Sequence, residues 1–345
     1  MRLSDLIIHL ILFIHRFSMK KTRSSTPRSR ALLLAVLAAL FTFTTSCDKE
    51  EDTASAQPKT VADLIVESSD FTILEAAILQ AGQLDAFKNP NLTVFAPNDA
   101  AFRASGVADA TSLTALTKEQ LTGILQYHVL KAAVASSGFP MEKNKAVQTS
   151  LSINNQAVVA YVTNGTSGLF INGAKVITPD VKAANGIMHV IDRILLPPPT
   201  GSGGSLVGVV QADTSLSLLG VAALRIATVN PTLAAVLTGT QPYTTFAPTN
   251  NAFRALKLST ADTINKVPVT ALTALLANHV VAGRLYSNDL TTGEVTAYST
   301  GKLTVTATGT TVTVKSKGLT SPATVTRANM TATNGVVHKI DKVLL

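Results

Sequence analysis

The chain contains the stretch Thr93-Val94-Phe95-Ala96-Pro97-Asn98-Asp99-Ala100-Ala101-Phe102, and 151 residues further on it contains Thr244-Thr245-Phe246-Ala247-Pro248-Thr249-Asn250-Asn251-Ala252-Phe253. Each stretch begins with residues that favour a short strand, which a proline ends. An Asn or a Thr that can cap a helix follows the proline, and a phenylalanine that can pack inward comes shortly after it. The recurrence of this whole pattern indicates an internal duplication.

Two further blocks recur in the same order. An apolar helix stripe that ends in a histidine appears as Leu121, Ile124, Leu125 and His128 and again, at the same offset, as Leu272, Leu275, Leu276 and His279. The closing segment 185–196 reappears as 334–345 at an offset of 149. These collinear blocks define copy one as residues 59–196 and copy two as residues 206–345.

Residues 197–205 lie between the copies and consist of three prolines followed by Thr, Gly and Ser residues. A proline triplet is stiff and extended, whereas a Gly/Ser stretch is flexible. Each copy is long enough to form its own hydrophobic core. We therefore expect two separate domains joined by this linker.

The net charge of +8 is concentrated at the N-terminus. Residues 1–47 hold seven of the 29 Lys and Arg residues and one of the 21 Asp and Glu residues, which leaves 22 basic and 20 acidic side chains in the rest of the chain. A nearly neutral body without tryptophan offers neither a basic surface nor an indole platform for base stacking. We expect no nucleic-acid partner.

Residues 1–47 are typical of an export leader. Basic residues between Lys20 and Arg30 precede the apolar run 31–43, which is too short to cross a bilayer as a helix. Met19 has the better context for a start, in which case residues 1–18 come from an upstream start codon. The alternative is that they belong to a longer anchor.

The only cysteine, Cys47, ends this leader. It resembles the lipobox cysteine of bacterial lipoproteins, and the charged run 48–52 resembles the signal that directs Bacteroidetes lipoproteins to the outer cell surface. The resemblance implies lipidation of Cys47, a membrane anchor and an outer-membrane location at the cell surface, with residues 48–58 as a flexible tether. The alternative is a free thiol before a solvated charged run. A single cysteine excludes an intramolecular disulfide.

Helix patterns come first in copy one. Asp70 and Gly82 bound an amphipathic segment as N-cap and C-terminal glycine. Residues 117–120 match a capping box that opens another helix, whose apolar stripe places His128 on its buried side or at the end of that stripe.

The hydrophobic period then changes from about 3.6 to 2. Residues 303–308 alternate apolar and Thr side chains, Gly309-Thr310 turns the chain, and the alternation returns through Val314. Residues 151–162 are the looser equivalent in copy one, with a turn at Asn154-Asn155. Apolar strands at 187–196 and 336–345 close the two copies. Helices followed by antiparallel strands predict an α+β fold rather than a wound parallel sheet.

Together, the Phe-Ala-Pro stretch, the Tyr-His pair at 127–128 and the terminal Asn-Gly-x-x-His-x-Ile-Asp block resemble the fasciclin domain. All three motifs occur in order, and their counterparts recur in copy two, so that the resemblance covers nearly all of residues 59–345. It implies two tandem fasciclin-like domains, each a β-sandwich or wedge with packed helices. It also implies a secreted or membrane-tethered adhesion protein without catalytic activity.

The same resemblance implies candidate partner-binding residues. A Tyr-His motif and an Asp-aliphatic pair are linked to adhesion in animal fasciclin domains. The candidate positions in this chain are Tyr127, His128, Asp180, Val181, Asn278 and His279. Copy two has Asn278 where copy one has a tyrosine, and Asn329-Met330 where copy one has Asp180-Val181.

Four histidines follow Cys47, and all fall at repeat-equivalent positions: His128, His189, His279 and His338. Two histidines in each domain are too few for a tetrahedral metal site, so we predict no metal and interpret them as buried histidines that bond to backbone or to a turn side chain. Asp99 and Asn250 are hypothetical partners for His128 and His279. Tyr127 is either a core aromatic with its hydroxyl at the surface or a ligand contact.

Three functions fit the sequence to different degrees. The first is a non-enzymatic, surface-tethered adhesion or interaction module, without a cofactor and monomeric, whose partner is an extracellular protein or a polysaccharide. The alternative is a binding protein for envelope polysaccharide or a small ligand, with a groove between helices and sheet. A secreted hydrolase is the least supported, because no nucleophile elbow, zinc-protease motif or phosphate loop is present.

Overall fold

The computed structural model describes residues 58–345. The predictions for the leader 1–47, for a start at Met19, for lipidation of Cys47 and for nearly all of the tether 48–58 lie outside the described residues. Both copies lie in one compact unit, Pro58–Leu345.

In copy one, four helices precede or flank a seven-stranded sheet. The helices are α1 Val61–Val66, α2 Thr72–Ala81, α3 Asp99–Ala104 and α4 Lys118–Tyr127. The strands are β1 Leu92–Pro97, β2 Val129–Leu130, β3 Lys145–Ile153, β4 Gln156–Gly165, β5 Gly168–Ile171, β6 Ala174–Ala183 and β7 Gly186–Ile191.

Copy two repeats this plan with six helices. The helices are α5 Leu206–Ala212, α6 Ser217–Ala227, α7 Pro231–Thr238, α8 Asn250–Ala255, α9 Ala261–Asn265 and α10 Val269–Asn278. The strands are β8 Tyr243–Pro248, β9 Val280–Ala282, β10 Gly293–Thr296, β11 Lys302–Thr308, β12 Thr311–Ser316, β13 Ala323–Ala332 and β14 Gly335–Ile340.

Most helix starts follow from local capping. Thr117 and Gln120 form the predicted capping box on α4, and Asn98 and Thr249 cap α3 and α8 as predicted. Gly82 ends α2 in the left-handed conformation at φ 65°. The prediction that Asp70 caps α2 is wrong, because the cap comes from far along the chain: Asp99 accepts hydrogen bonds from the Ile73 amide at 2.9 Å and the Thr72 hydroxyl at 2.6 Å.

Both sheets have the same strand order. It is β2-β1-β7-β6-β5-β4-β3 in copy one and, counted from the corresponding end, β9-β8-β14-β13-β12-β11-β10 in copy two. Most neighbours are antiparallel, as predicted, but β1 pairs with β7 in parallel and β8 pairs with β14 in parallel. The predicted α+β fold is confirmed, with one parallel pair in each sheet, and the closing strands end at residues 191 and 340, earlier than expected.

The Asn-Gly turn that precedes β7 permits this parallel pairing. A Cβ atom on Gly186 would lie 2.0 Å from the carbonyl oxygen of Leu92, and one on Gly335 would lie 2.0 Å from that of Tyr243. Glycine therefore lets the first residue of the last strand approach the first residue of β1 or β8.

The predicted hairpins at 303–314 and 151–162 both form, but they are not equivalent. The paired core residues Val305 and Val314 of β11 and β12 correspond in strand order to Val162 and Ile171 of β4 and β5. The hairpin of β3 and β4, which turns at Asn154-Asn155, corresponds instead to β10 and β11.

Each copy has two hydrophobic clusters, one on each face of its central strands. In β1, Val94 and Ala96 pack against the helices, whereas Phe95 packs inside the curled sheet with Tyr127 and Ile191. This alternation is the period of 2 expected for a strand buried on both faces. A polysaccharide- or ligand-binding protein, the alternative function, would need a groove between the helices and the sheet. The helix-facing cluster occupies that space.

Part of the linker is bound to copy two. Residues Gly201–Gly204 form a short 3-10 turn, and the Gly204 carbonyl accepts a hydrogen bond of 2.8 Å from the Thr333 amide.

Among residues 58–345, no single helix is long and apolar enough to cross a membrane. One bent pair, Leu206–Ala212 with Thr214–Ala227, passes that test by length and composition only.

Candidate functional site

His128 occupies the C-cap of α4 and is buried. Its Nδ1 lies 2.8 Å from the Ile124 carbonyl oxygen, and its Nε2 accepts a hydrogen bond of 2.9 Å from the Leu195 amide. A neutral ring with its proton on Nδ1 satisfies both contacts. Burial lowers the pKa of His128 to about 4, so the ring is neutral at pH 7.

His279 repeats this geometry in copy two. Its Nδ1 lies 2.7 Å from the Leu275 carbonyl oxygen, and its Nε2 accepts a hydrogen bond of 2.8 Å from the Leu344 amide. Burial also lowers the pKa of His279 to about 4. The interpretation of these histidines as buried backbone partners is confirmed, whereas the proposed pairing with Asp99 and Asn250 is wrong, because those two side chains cap α2 and α6.

His189 and His338 adopt the other neutral tautomer, with the proton on Nε2. Nε2 of His189 lies 3.0 Å from the Val134 carbonyl oxygen, while Nδ1 accepts a hydrogen bond of 3.1 Å from the amide of Asp180. His338 makes the same pair of contacts with Leu285 and Asn329. Burial lowers the pKa of His189, and it lowers that of His338 to about 4.

Asp180 lies at an irregular point of β6 and has a left-handed backbone, φ 59°. Its carboxylate accepts a hydrogen bond of 2.7 Å from the Ser136 amide and another from the Ser136 hydroxyl, and the hydroxyl contact lowers the pKa of Asp180. In copy two, Oδ1 of Asn329 accepts a hydrogen bond of 2.8 Å from the Ser287 amide, and its Nδ2 donates to the Ser287 hydroxyl at 2.8 Å. The acid and the amide therefore share a structural role. The Asp180 side chain is 39% exposed and Val181 is half-buried, so this segment reaches the surface.

Tyr127 is fully buried, including its hydroxyl, so the prediction that the hydroxyl lies at the surface is wrong. The hydroxyl donates to the Val159 carbonyl oxygen at 3.0 Å and accepts a hydrogen bond of 2.8 Å from Nδ2 of Asn172. Burial raises the pKa of Tyr127 above its ordinary value. At the matching position, Asn278 is half-buried and accepts a hydrogen bond from the Ser299 hydroxyl.

Asn172 continues the contact into copy two. Its Oδ1 accepts a hydrogen bond of 3.1 Å from the hydroxyl of Tyr286, whose side chain is also buried. Burial raises the pKa of Tyr286 to about 12. The buried line of Tyr127, Asn172 and Tyr286 thus crosses from one copy to the other.

A second set of contacts surrounds this line. The guanidinium carbon of Arg284 lies 3.9 Å from the centre of the Tyr161 ring, a cation–π arrangement between the copies. The same guanidinium donates to three carbonyl oxygens of copy two, those of Ala332, Thr333 and Gly335. Asn144 of copy one donates to the Arg284 carbonyl oxygen at 2.8 Å and to the Asp289 carboxylate at 3.2 Å. The two domains are therefore in contact with each other, and the expectation that the linker keeps them apart is wrong.

The sequence pattern did contain a signal for this interface. At the offset of 151, Arg284 and Tyr286 match Ala133 and Ala135. In strand register, Tyr161 and Asn172 match Thr304 and Lys315. Each of these four interface residues is thus present in one copy and replaced in the other. This is expected for residues that hold the two copies together and are not needed for the fold of a single copy.

A cleft of about 1020 Å³ lies beside this interface. Its walls come from both copies and from Pro197 and Pro199 of the linker, and Asn172 and Asn329 are among its lining residues. Over residues 58–345, no three His, Cys, Asp or Glu side chains form a group that could hold a metal ion.

Comparison with known proteins identifies the family. The sequence model of the Fasciclin domain matches residues 69–197 and 221–345. Transforming growth factor-beta-induced protein ig-h3 from Sus scrofa is 25% identical over 258 residues, which cover 74% of this chain and 35% of that protein. Protein sll1483 from Synechocystis sp. is 35% identical over 147 residues, which cover 42% of this chain and 77% of that protein.

A solved structure is also similar, the FAS1 domain pair from the insect cell adhesion molecule Fasciclin I. It is 20% identical and covers 79% of this chain and 95% of that chain, with a TM-score of 0.36. The chain spans about a third of the length of ig-h3. Since the two ranges matched by the family model lie one in each copy and together exceed half of the sequence, the chain belongs to the fasciclin-domain family, with two domains in tandem.

Proposed function

We propose that this chain is a non-enzymatic adhesion or interaction module of a bacterial outer surface, anchored by a lipid on Cys47. The observation that carries the proposal is that nearly all of the described chain consists of two fasciclin domains. The fasciclin resemblance implies adhesion, and the leader, Cys47 and the charged run 48–52 supply the anchor and the export route. The relative in Synechocystis supports a bacterial setting.

The candidate contact surface in this proposal is the Asp180-Val181 segment, with Asn278 as the accessible part of the matching motif in copy two. The side chains of Tyr127, His128 and His279 are buried, so they do not form part of this surface. The Ser136–Asp180 and Asp180–His189 hydrogen bonds hold this segment in one conformation, which reduces the entropy lost when a partner binds.

The anchor is tested by cell fractionation of Cys47→Ala, with Ser46→Ala as the neighbouring control that keeps the thiol. We expect the Cys47→Ala protein to leave the membrane fraction and the Ser46→Ala protein to stay. External protease should remove the full chain from intact cells. A Cys47→Ala protein that remains in the membrane fraction contradicts the lipid anchor.

Adhesion is tested with a deletion strain, complemented by the full chain or by Asp180→Ala. The deletion should reduce attachment to matrix or to neighbouring cells, and the full chain should restore it. Asp180→Ala should restore less, whereas Asp262→Ala, a variant of an exposed acid in copy two, should restore as much as the parent. A deletion strain that attaches normally, together with protection of the protein from protease, contradicts the proposal.

The second candidate, binding of an envelope polysaccharide, is favoured by the cleft between the copies. Its position differs from the groove expected between helices and sheet, where copy two has a cavity of about 30 Å³ with apolar lining residues such as Leu206 and Leu276.

A further inference from the structure

The cleft between the two copies carries an uncompensated positive charge. Two arginines are among its lining residues, the half-buried Arg193 of copy one and the exposed Arg327 of copy two. Neither has an ion-pair or hydrogen-bond partner within residues 58–345. Lys339 also lines the cleft, but it is neutralised by Asp213 at 2.6 Å. Two free cations therefore face a common space.

The repeat makes these two arginines distinctive. At the offset of 149, Arg327 matches Thr178 of copy one. Arg193 matches Lys342, which does not line the cleft and instead donates to the Ser321 hydroxyl at 2.7 Å and the Pro322 carbonyl oxygen at 2.9 Å. The fold itself thus requires no free cation at either position, since each copy folds in the same way with a different residue there.

The other lining residues indicate the kind of ligand. Hydroxyl and amide side chains such as Ser287, Thr326 and Asn329 line the walls together with aliphatic side chains, and no aromatic residue does. Protein partners are usually anchored by aromatic or apolar side chains in desolvated pockets, and most drug-like sites are also apolar. An open cleft with two arginines and no aromatic anchor suits a hydrophilic anion, because a guanidinium binds a carboxylate through two parallel hydrogen bonds.

We infer that this cleft binds a carboxylated polysaccharide, with one acidic sugar at Arg193 and another at Arg327. The inference rests on the proposed function as an interaction module and names the partner class for one site. A volume of about 1020 Å³ is at the upper end of ligand-sized sites and is consistent with a short oligosaccharide rather than a single sugar.

The bound chain bridges both copies, so its affinity depends on how they are held. Asn172 lines the cleft and also accepts the hydrogen bond of Tyr286. The buried contacts between the copies therefore fix the relation between the walls that carry the two arginines. Because this arrangement exists before the ligand arrives, binding loses less conformational entropy.

The test is calorimetric titration of the full chain with an oligogalacturonate of uniform length at low ionic strength. Neutral dextran of equal length and poly-L-glutamate of equal charge are the comparison probes. We expect oligogalacturonate to bind, dextran to give no signal, and poly-L-glutamate to bind at least tenfold more weakly. Arg193→Gln and Arg327→Gln should each weaken oligogalacturonate binding at least tenfold, while Lys342→Gln, which removes the same charge outside the cleft, should change it less than twofold.

Several results overturn the inference. If Lys342→Gln weakens oligogalacturonate binding as much as the two arginine variants do, only the net charge of the protein matters. If oligogalacturonate does not bind to the parent protein, the proposed site does not exist. Poly-L-glutamate that binds as tightly, with the same dependence on the arginines, assigns the cleft to an acidic protein. Unchanged thermal unfolding of the variants excludes misfolding as the cause. Surface exposure and attachment of the deletion strain test the proposed function separately, and they can succeed when the cleft binds nothing.

Discussion

The Nε2 atom of His128 accepts a hydrogen bond of 2.9 Å from the amide of Leu195. This contact ties the end of α4 to the segment that follows β7, 67 residues away in the chain. His279 and Leu344 make the same contact in copy two. In both, a proton on Nε2 would place two donors against each other, so the contact requires a neutral ring.

We predict that both domains lose stability as the pH falls from about 6.5 towards 4. The folded state holds His128, His279 and His338 neutral with a pKa of about 4, whereas the unfolded chain binds protons near 6.5. The unfolded state thus takes up more protons in this window, and the free energy of unfolding falls with decreasing pH. The expected slope is about 1.4 kcal/mol per pH unit for each histidine.

Chemical denaturation at a series of pH values measures this slope. His128→Gln lowers the stability at pH 7 but removes one titrating group, so its profile between pH 6.5 and 5 should be less steep than that of the parent. A parent protein whose stability is constant over this range would contradict the neutral-ring interpretation.

Asp99 is expected to be replaceable by Asn but not by Ala. Its carboxylate caps α2 through Ile73 and Thr72, and Asn250 caps α6 in copy two through the Leu218 amide at 2.9 Å and the Ser217 hydroxyl at 3.0 Å. Asp99→Ala should cost about 1–2 kcal/mol, as other lost helix caps do, and Asp99→Asn less than about 0.5 kcal/mol. Urea unfolding distinguishes them, and equal losses would mean that charge rather than capping matters.

Tyr127→Phe should destabilise the protein although the ring remains. Removal of the hydroxyl leaves the Val159 carbonyl and Nδ2 of Asn172 without their buried partner. An unsatisfied buried polar group costs about 1–3 kcal/mol. Tyr298→Phe is the control, because that side chain is 39% exposed. Denaturant midpoints that shift equally in the two variants would argue against a structural role for the buried hydroxyl.

Gly173→Ala should separate the copies. A Cβ atom at this position would lie 2.3 Å from Nδ2 of Asn329, which cannot move without losing its hydrogen bonds to Ser287. Small-angle scattering should report a larger radius of gyration for this variant. Gly168→Ala is the control: its backbone is also left-handed, at φ 114°, but the nearest atom, in Phe170, is 4.0 Å away. If Gly168→Ala expands the molecule as much, the expansion arises from backbone strain.

Much of each domain could be predicted because the signals are local. The capping box at Thr117, the caps at Asn98 and Thr249 and the hairpins depend on residues a few positions apart. The parallel pairing of β1 with β7 joins segments about 90 residues apart, and no local period specifies its direction. The true cap of α2 was missed for the same reason, since Asp99 is 26 residues from Ile73.

The candidate site was predicted less well than the fold. The histidines were correctly interpreted as buried, because they end an apolar helix stripe or lie in an apolar strand. No local pattern predicts burial of the Tyr127 hydroxyl, because its partner Asn172 lies in a turn of the sheet 45 residues away. The interface required a comparison of the copies, in which Arg284 and Tyr286 stand against Ala133 and Ala135.

The contact between the copies joins unlike faces, a heterologous association of the kind that can continue into open filaments. Copy two has Thr304 and Lys315 where copy one offers Tyr161 and Asn172, so the receiving face of copy one is not repeated on copy two. Copy one has Ala133 and Ala135 in place of the inserted Arg284 and Tyr286. The divergence of the two halves after duplication therefore gives this contact a direction, because copy two supplies the inserted side chains and copy one supplies the receiving face.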